Sequence, residues 1–259
     1  MGESVLIEKE QGVGIIYLNE PDSLNALSAS IKDGLMRALD ELENDPETKV
    51  LLIAGKGRAF CAGGDIRAMS GHQTVLQAKA RMEEATQIVK KMAQMKKPIV
   101  AAVHGYAVGA GFSLALACDL IVAEEGTKFG LAFKNIGLIP DLGLHYFLLR
   151  TVSPWKAKEW IWTGAMIPAE EGLQHGFVNR LAPQGQGLET AKGLAQELAK
   201  GPLQAYKLSK SILHQAVTLD LDQVLELENY GQSALRQTKD HQEGIQAFRE
   251  KRPPQFTGE

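Results

Sequence analysis

Hydrophobic and polar positions alternate along this chain at two different periods, and the switches between them mark its elements. The runs "SVLIEK" and "VGIIYLN" alternate around the turn "EQG" and predict two strands. A helical pattern from Ser28 through Glu43 follows, and "VLLIAG" then reads as a buried strand, so the first third is β-β-α-β. After the loop "GKGRAFCAGGDI" the helical period returns from Thr74 to Met95. Val75, Ala78, Met82, Ala85, Ile88, Val89 and Met92 recur there at three- and four-residue steps. Pro98 resets the chain into the strand "IVAAV".

The stretch from Ile99 to Cys118 carries no formal charge and has the length of a membrane span, with Gly105 and Gly109 spaced as a G-x-x-x-G pair. Its glycines argue otherwise. Gly105, Gly109 and Gly111 lie between a β-branched strand, Ile99 to Val103, and the Ala/Leu-rich segment Leu114 to Ala117. Strand, turn and buried helix is the better reading, and no membrane association is expected. A dinucleotide fingerprint is excluded because "FSL" follows Gly111 where a third glycine belongs, and no phosphate-loop motif occurs. What remains is a glycine turn opening a helix, whose first N–H groups have no intrahelical partner and suit an anion or an oxyanion.

In the second half, Ser153 caps a helix that has Pro154 in its first position and Gly164 as its stop. Pro168 to His175 repeats the pattern with Gly176 closing it, and "FVNRL" predicts a short strand. The loop "APQGQG" marks a division between an α/β core, residues 1–187, and a helical C-terminal region, residues 188–259. Apolar stripes in that region, among them Leu208, Ile212, Leu213, Leu221, Val224, Leu225 and Leu235, offer more surface than a detached tail leaves wet. They predict self-association.

Charge and composition remove whole classes of function. The 28 Lys and Arg against 31 Asp and Glu leave a net charge of −3 with no basic block, so nucleic acid is not an expected partner. Cys61 and Cys118 stand alone, which suggests neither a disulfide framework nor a zinc site, and a reducing cytoplasm is the expected setting. The start "MGESVLIEKEQG" has no apolar core of a secretory signal, and Leu6 stands where a myristoylation motif needs Ser or Thr. His72, His104, His175, His214 and His241 form no H-E-x-x-H or comparable pair, so no metal is expected. Trp155 and Trp162, on one predicted helix, are read as core or subunit contacts.

Two segments together resemble the crotonase family, the enoyl-CoA hydratase/isomerase superfamily: "GRAFCAGGDIRAM" (Gly57 to Met69) and "KPIVAAVHGYAVGAGFSLALACDLIVAEEGTKFGLAFKNIGLIPDLG" (Lys97 to Gly143). The resemblance continues through "TGAMIPAEEGLQHGFVNRL" to "AFREKRPPQF", essentially the whole chain. It implies an α/β fold, a crotonase-like spiral of ββα repeats with a C-terminal helical trimerisation region, assembled as a homotrimer or a dimer of trimers. It also implies an acyl-CoA thioester substrate, with coenzyme A part of the substrate and no separate cofactor. The family's oxyanion hole carries over onto the backbone N–H groups of Gly64 and Ala110, and its CoA cleft onto Ala26, Ala62, Asp65 and Ile66. Two preorganised donors in a dry site stabilise an enolate oxygen by several kcal/mol.

This chain departs from the family's hydratases at both catalytic glutamates, where it has Ser113 and Phe133, side chains left to contact substrate. Asp141 in "IGLIPDLG" is the acid that remains, and the surrounding residues look most like the ring-opening isomerases of phenylacetyl-CoA breakdown and the enoyl-CoA isomerases. Read without the family, Pro-Asp-x-Gly is ordinary turn chemistry, with Asp141 capping the helix that opens at Gly143. Asp22 stands where relatives carry a basic residue for the CoA phosphates, a contact then lost or supplied by Lys251 or Arg252 of a neighbouring chain. His145 is either a second proton carrier or a structural residue at a helix start. One carboxylate opposite an oxyanion hole suffices to move a double bond, whereas adding water is usually helped by a second group. An isomerase is therefore the expectation, with a hydrolase or hydratase, and an acyl-CoA-binding subunit without activity, as the alternatives.

Overall fold

The computed structural model describes residues 3–69 and 74–259. Met1, Gly2 and His72, all weighed above, lie outside the described residues. Strands β1 (Val5–Glu10) and β2 (Val13–Leu18) form a hairpin through Gln11 and Gly12, both at positive φ. Helix α1 (Ala29–Asn44) starts where the Ser28 hydroxyl accepts from the Ile31 N–H, and β3 (Val50–Gly55) follows. A 3-10 turn at Ile66–Met69 precedes α2 (Val75–Gln94), which opens on a capping box between Thr74 and Gln77. Then come β4 (Ile99–Val103), β5 (Tyr106–Val108), α3 (Ala110–Leu116), β6 (Leu120–Glu124) and β7 (Lys128–Gly130). A 3-10 turn at Ala132–Ile136 leads to α4 (Leu144–Leu148), α5 (Pro154–Thr163), β8 (Met166–Pro168), α6 (Ala169–His175) and β9 (Arg180–Ala182). Four helices finish the chain: α7 (Gly187–Ala199), α8 (Leu203–Ala216), α9 (Leu221–Leu235) and α10 (Lys239–Glu250).

The larger sheet has the order β1-β2-β3-β4-β6-β9, antiparallel only at β1/β2. The smaller runs β5-β7-β8. Two isolated parallel bridges, Leu27 with Gly64 and Cys61 with Ala107, continue the smaller sheet past β5. Each turn of the chain thus sends one strand into the larger sheet, one short segment into the smaller, and then a helix. The result is a spiral of ββα turns.

Both faces of the larger sheet are covered. Ile16, Leu18, Leu51, Ile53, Ile99 and Val103 pack with α1, α2 and α3, while Val13, Ile15, Val50, Leu52 and Val100 pack with Ala191, Leu194 and Ala195 of α7. β2 is consequently buried at every residue, where alternation alone suggests one wet face. Because α7 supplies that second layer, the packed core runs past the 187/188 division expected from the "APQGQG" loop. Lys210 of α8 is pinned to the core by Asp119 (2.7 Å) and by the Met92 carbonyl (3.2 Å).

Some surface expectations change. Of the predicted face of α2, Ala85, Ile88, Val89 and Met92 are buried but Val75 and Met82 are exposed. Trp155 and Trp162 are 78% and 70% exposed, and Trp160, on the opposite side of α5, is the one in the core. No helix among the described residues is long and apolar enough to cross a membrane; the uncharged stretch instead forms β4, β5 and α3.

Candidate active site

Three successive turns of the spiral converge after their short strands. Cys61 pairs with Ala107, and three residues further along both segments stand Gly64 and Ala110. A Cβ placed on Gly63 would lie 3.8 Å from the Ala110 nitrogen, so the two turns are in contact. Gly63 and Gly109 have φ of 114° and 55°, a region that residues bearing a Cβ rarely adopt. Ala110 is the first residue of α3, where the helix has no use for its N–H. Gly64 belongs to a bridge in which Leu27 N–H donates to the Gly63 carbonyl (2.7 Å). Among the described residues, neither the Gly64 nor the Ala110 N–H donates to a turn or loop carbonyl.

Close backbone packing holds this wall. A Cβ on Gly111 would sit 2.2 Å from the Cys61 carbonyl oxygen, and one on Gly105 2.1 Å from that of Arg58. Only glycine permits these approaches.

The third turn carries Phe133, which reaches Gly109, and further along it Asp141. The Phe133 ring is buried, with its Cζ 3.8 Å from where a Cβ on Gly109 would be. Asp141 is half-buried, and its Oδ1 is a buried oxygen without a hydrogen-bond partner. The capping role is taken by its backbone: the Leu144 N–H donates to the Asp141 carbonyl, and no side chain caps α4. Loss of solvent, opposed in part by a backbone hydrogen bond, pushes the carboxyl up to about 6. Leu142 and Gly143 follow with φ of 48° and 80°, and the Leu142 side chain is buried in the core.

The other predicted residues divide. Ala26, Ala62, Asp65 and Ile66 come together on adjoining loops, joined where the Ala62 N–H donates to the Leu24 carbonyl. Asp65 accepts from Arg67 at 2.9 Å, which holds its carboxyl below the ordinary range, and Ile66 is 65% exposed. Ser113 is fully buried within α3, and its hydroxyl donates back to the Gly109 carbonyl at 3.3 Å. Lys251 is exposed and ends α10 at φ 56°. Arg252 is already engaged by Glu243 (2.6 and 3.0 Å) and by Glu250 (2.6 Å). His145 is exposed on α4. No group of three or more His, Cys, Asp or Glu able to hold a metal occurs among the described residues. Cys61, fully buried, has its thiol pushed up to about 12 by burial and is inert as a nucleophile.

Asn25 was invisible as a site residue in the sequence. It is fully buried at φ 56°, and its side chain joins the loop that holds Ala26 to the one that holds Gly64. The signal was an asparagine inside an apolar stretch, "LNAL", whose partners are all backbone groups.

Comparison with known proteins agrees over the full length. The family model described as enoyl-CoA hydratase/isomerase matches residues 8–259. The 1,2-epoxyphenylacetyl-CoA isomerase of Escherichia coli is 34% identical over 261 residues, covering 100% of each chain. The crotonyl-CoA hydratase of Syntrophomonas wolfei is 32% identical over 256 residues, covering 98% of each. Among solved structures, an enoyl-CoA hydratase subunit from Geobacillus kaustophilus is similar at a TM-score of 0.93 and 36% identity, covering 99% of this chain and 98% of that one.

Proposed function

The chain belongs to the enoyl-CoA hydratase/isomerase family, and from that premise we propose that it is an acyl-CoA isomerase with Asp141 as its single proton carrier. The observation that carries this reading is the buried, unpartnered Oδ1 of Asp141. A carboxylate left without a partner inside a protein costs stability, and its retention is explained when substrate completes its surroundings. The N–H groups of Gly64 and Ala110 hold the thioester oxygen, and Ala26, Ala62, Asp65 and Ile66 line the CoA cleft. Lys251 of a neighbouring chain substitutes for the basic residue that Asp22 replaces.

With a 3-enoyl thioester, the Asp141 carboxylate removes a proton from the α-carbon. The electron pair moves onto the thioester oxygen and is stabilised there by the two N–H groups. Asp141 then returns the proton to the γ-carbon, the electrons flow back, and the double bond lies between the α- and β-carbons. Phe133 sets an apolar ring beside Gly109, which keeps this side of the site unfavourable to water. The epoxyphenylacetyl-CoA isomerase among the relatives supports enolate isomerisation. Hydratase names such as crotonyl-CoA hydratase make hydration the second reading.

The test is incubation with 3-enoyl-CoA, 2-enoyl-CoA and saturated acyl-CoA thioesters. Conjugation of the double bond supports the proposal, while hydration, release of free thiol, or silence each overturns it in favour of the corresponding alternative.

We also propose a homotrimer or dimer of trimers. Helix α9 buries none of its residues in this chain, and Leu221, Leu225 and Tyr230 on it are exposed along with Leu213 of α8 and Phe248 of α10. Light scattering at micromolar concentration checks it, and a monomer contradicts it.

A further inference from the structure

The wall bearing Gly64 is held between two layers. On one side Gly105 and Gly111 let the second turn approach the Arg58 and Cys61 carbonyls. On the other side lies the segment 20–28, and one buried side chain fastens it. Asn25 Oδ1 accepts from the Glu20 N–H at 2.9 Å, closing its own loop. Its Nδ2 donates to the carbonyls of Lys56 and Ala59, both at 2.9 Å. Those two carbonyls begin the segment that reaches Gly64 a few residues later. Further along, the same pair of segments is stitched by Ala62 N–H to Leu24 carbonyl and Leu27 N–H to Gly63 carbonyl.

No other side chain meets these demands. The site needs one acceptor and two donors at the reach of an asparagine amide, and the partners fix which end of the amide faces which way. It also needs a backbone at φ 56°, which asparagine adopts more readily than most residues. Alanine leaves two carbonyls and one N–H without their Asn25 partner, the Ala59 carbonyl among them in a fully buried place. Aspartate keeps the shape and the acceptor and loses both donors.

We propose that Asn25 is a positioning residue for the oxyanion hole, setting the direction of the Gly64 N–H through the 56–64 segment. The proposal rests on the reading of Gly64 as an oxyanion donor. Ala110 heads α3 and takes no hydrogen bond from Asn25, so its N–H is expected to be displaced less than that of Gly64.

The experiment uses the full chain and a saturated four-carbon acyl-CoA isotopically labelled at the thioester carbonyl. Hydrogen bonds to that oxygen lower its stretching frequency in the bound state. The native protein is expected to shift the band downward from its position in water. Asn25→Asp and Asn25→Ala are expected to return it part of the way, and to lower kcat on the order of a hundredfold, as a small misplacement of a reacting group does, with KM changed by a few-fold. Leu194→Ala, in the α7 layer on the far face of the sheet, is the control for lost stability. It should leave the band and kcat near native values at temperatures where it is folded.

A native-like band in a folded Asn25 variant overturns the proposal while the Gly64 reading stands. Equal kcat losses in Leu194→Ala and the Asn25 variants, each measured below its melting point, overturn it as well. An unshifted band in the native protein defeats both the oxyanion reading and this inference. Should Asn25→Ala not fold, Asn25→Asp and Asn25→Ser carry the measurement, and failure of all three to fold assigns Asn25 to stability and overturns the positioning role.

Discussion

In the wall that carries Gly64 and Ala110 the chain leaves no room for a Cβ on Gly105 or Gly111, whereas around Asp141 it leaves a carboxylate oxygen with no partner. The first wall is backbone throughout: two glycine turns in register, packed carbonyl against Cα, with the Asn25 amide behind them. The second is made of side chains. Phe133 is buried, Leu138 and Ile139 are exposed just before the acid, and the polar group at its centre is satisfied only in part. One wall is specified by what cannot be added, the other by what has not been paired. Preorganised dipoles need a frame that does not move, while a proton carrier needs a poorly solvated group with an unspent lone pair.

The largest effect that would break this contrast comes from the second wall. Asp141→Asn keeps size and polarity but cannot accept a proton. Exchange of substrate α-protons with deuterated water should fall about a thousandfold, with acyl-CoA binding within a few-fold. Exchange at the native rate would place the base elsewhere, and His145 would be next to test.

On the first wall, Ala110→Pro removes one N–H at a helix position that tolerates proline. Turnover should drop about a hundredfold in a protein that circular dichroism shows to be folded. Unchanged turnover would take Ala110 out of the oxyanion hole. Gly111→Ala sharpens the contrast from the packing side, because its new Cβ would stand 2.2 Å from the Cys61 carbonyl oxygen. We expect a loss of about 2 kcal/mol in denaturant unfolding, and a change within error would mean that the wall yields.

The smallest effect is in pH dependence. The Asp141 carboxyl is raised from 3.8 to about 6 in the folded protein by burial. Between those values the folded state holds a proton that the unfolded state has released, so stability declines as pH rises through this window. With screening at a half-buried site the difference is on the order of 1 kcal/mol. Asp141→Asn should abolish that slope and be slightly more stable than the parent at pH 7. The native isomerisation rate should climb with pH through about 6 and then level off, since the base works deprotonated. A pH-independent difference in melting temperature between the two proteins would count against the buried carboxylate.

Helices with strong end signals were legible from the chain alone. The helical patterns read from Ser28 and Thr74 begin at those residues, Ser153 caps α5 as expected, and Gly164 and Gly176 end α5 and α6 in left-handed conformations. The strands β5, β7 and β8 were not legible, because three residues carry no period and their pairing partners lie far along the chain. For the same reason the register that sets Gly64 beside Ala110 is absent from any local pattern. Asn25 escaped because its partners are backbone groups, one N–H and two carbonyls, which leave no mark in the sequence. That Ser113 is enclosed with the rest of α3 was likewise not legible, because the layers that cover the helix come from distant parts of the chain.

What the sequence determined by itself is the local grammar: where helices start and stop, and where glycines mark turns. Its resemblance to a family supplied the order of the turns. The tertiary structure alone decided that α7 closes the second face of the sheet, that Trp155 and Trp162 face outward, and that Asp141 keeps one oxygen unpaired. Periodicity and capping act over a few residues and leave a trace in the order of amino acids. Burial and hydrogen-bond satisfaction depend on which distant backbone arrives alongside, and that is fixed only when the spiral closes.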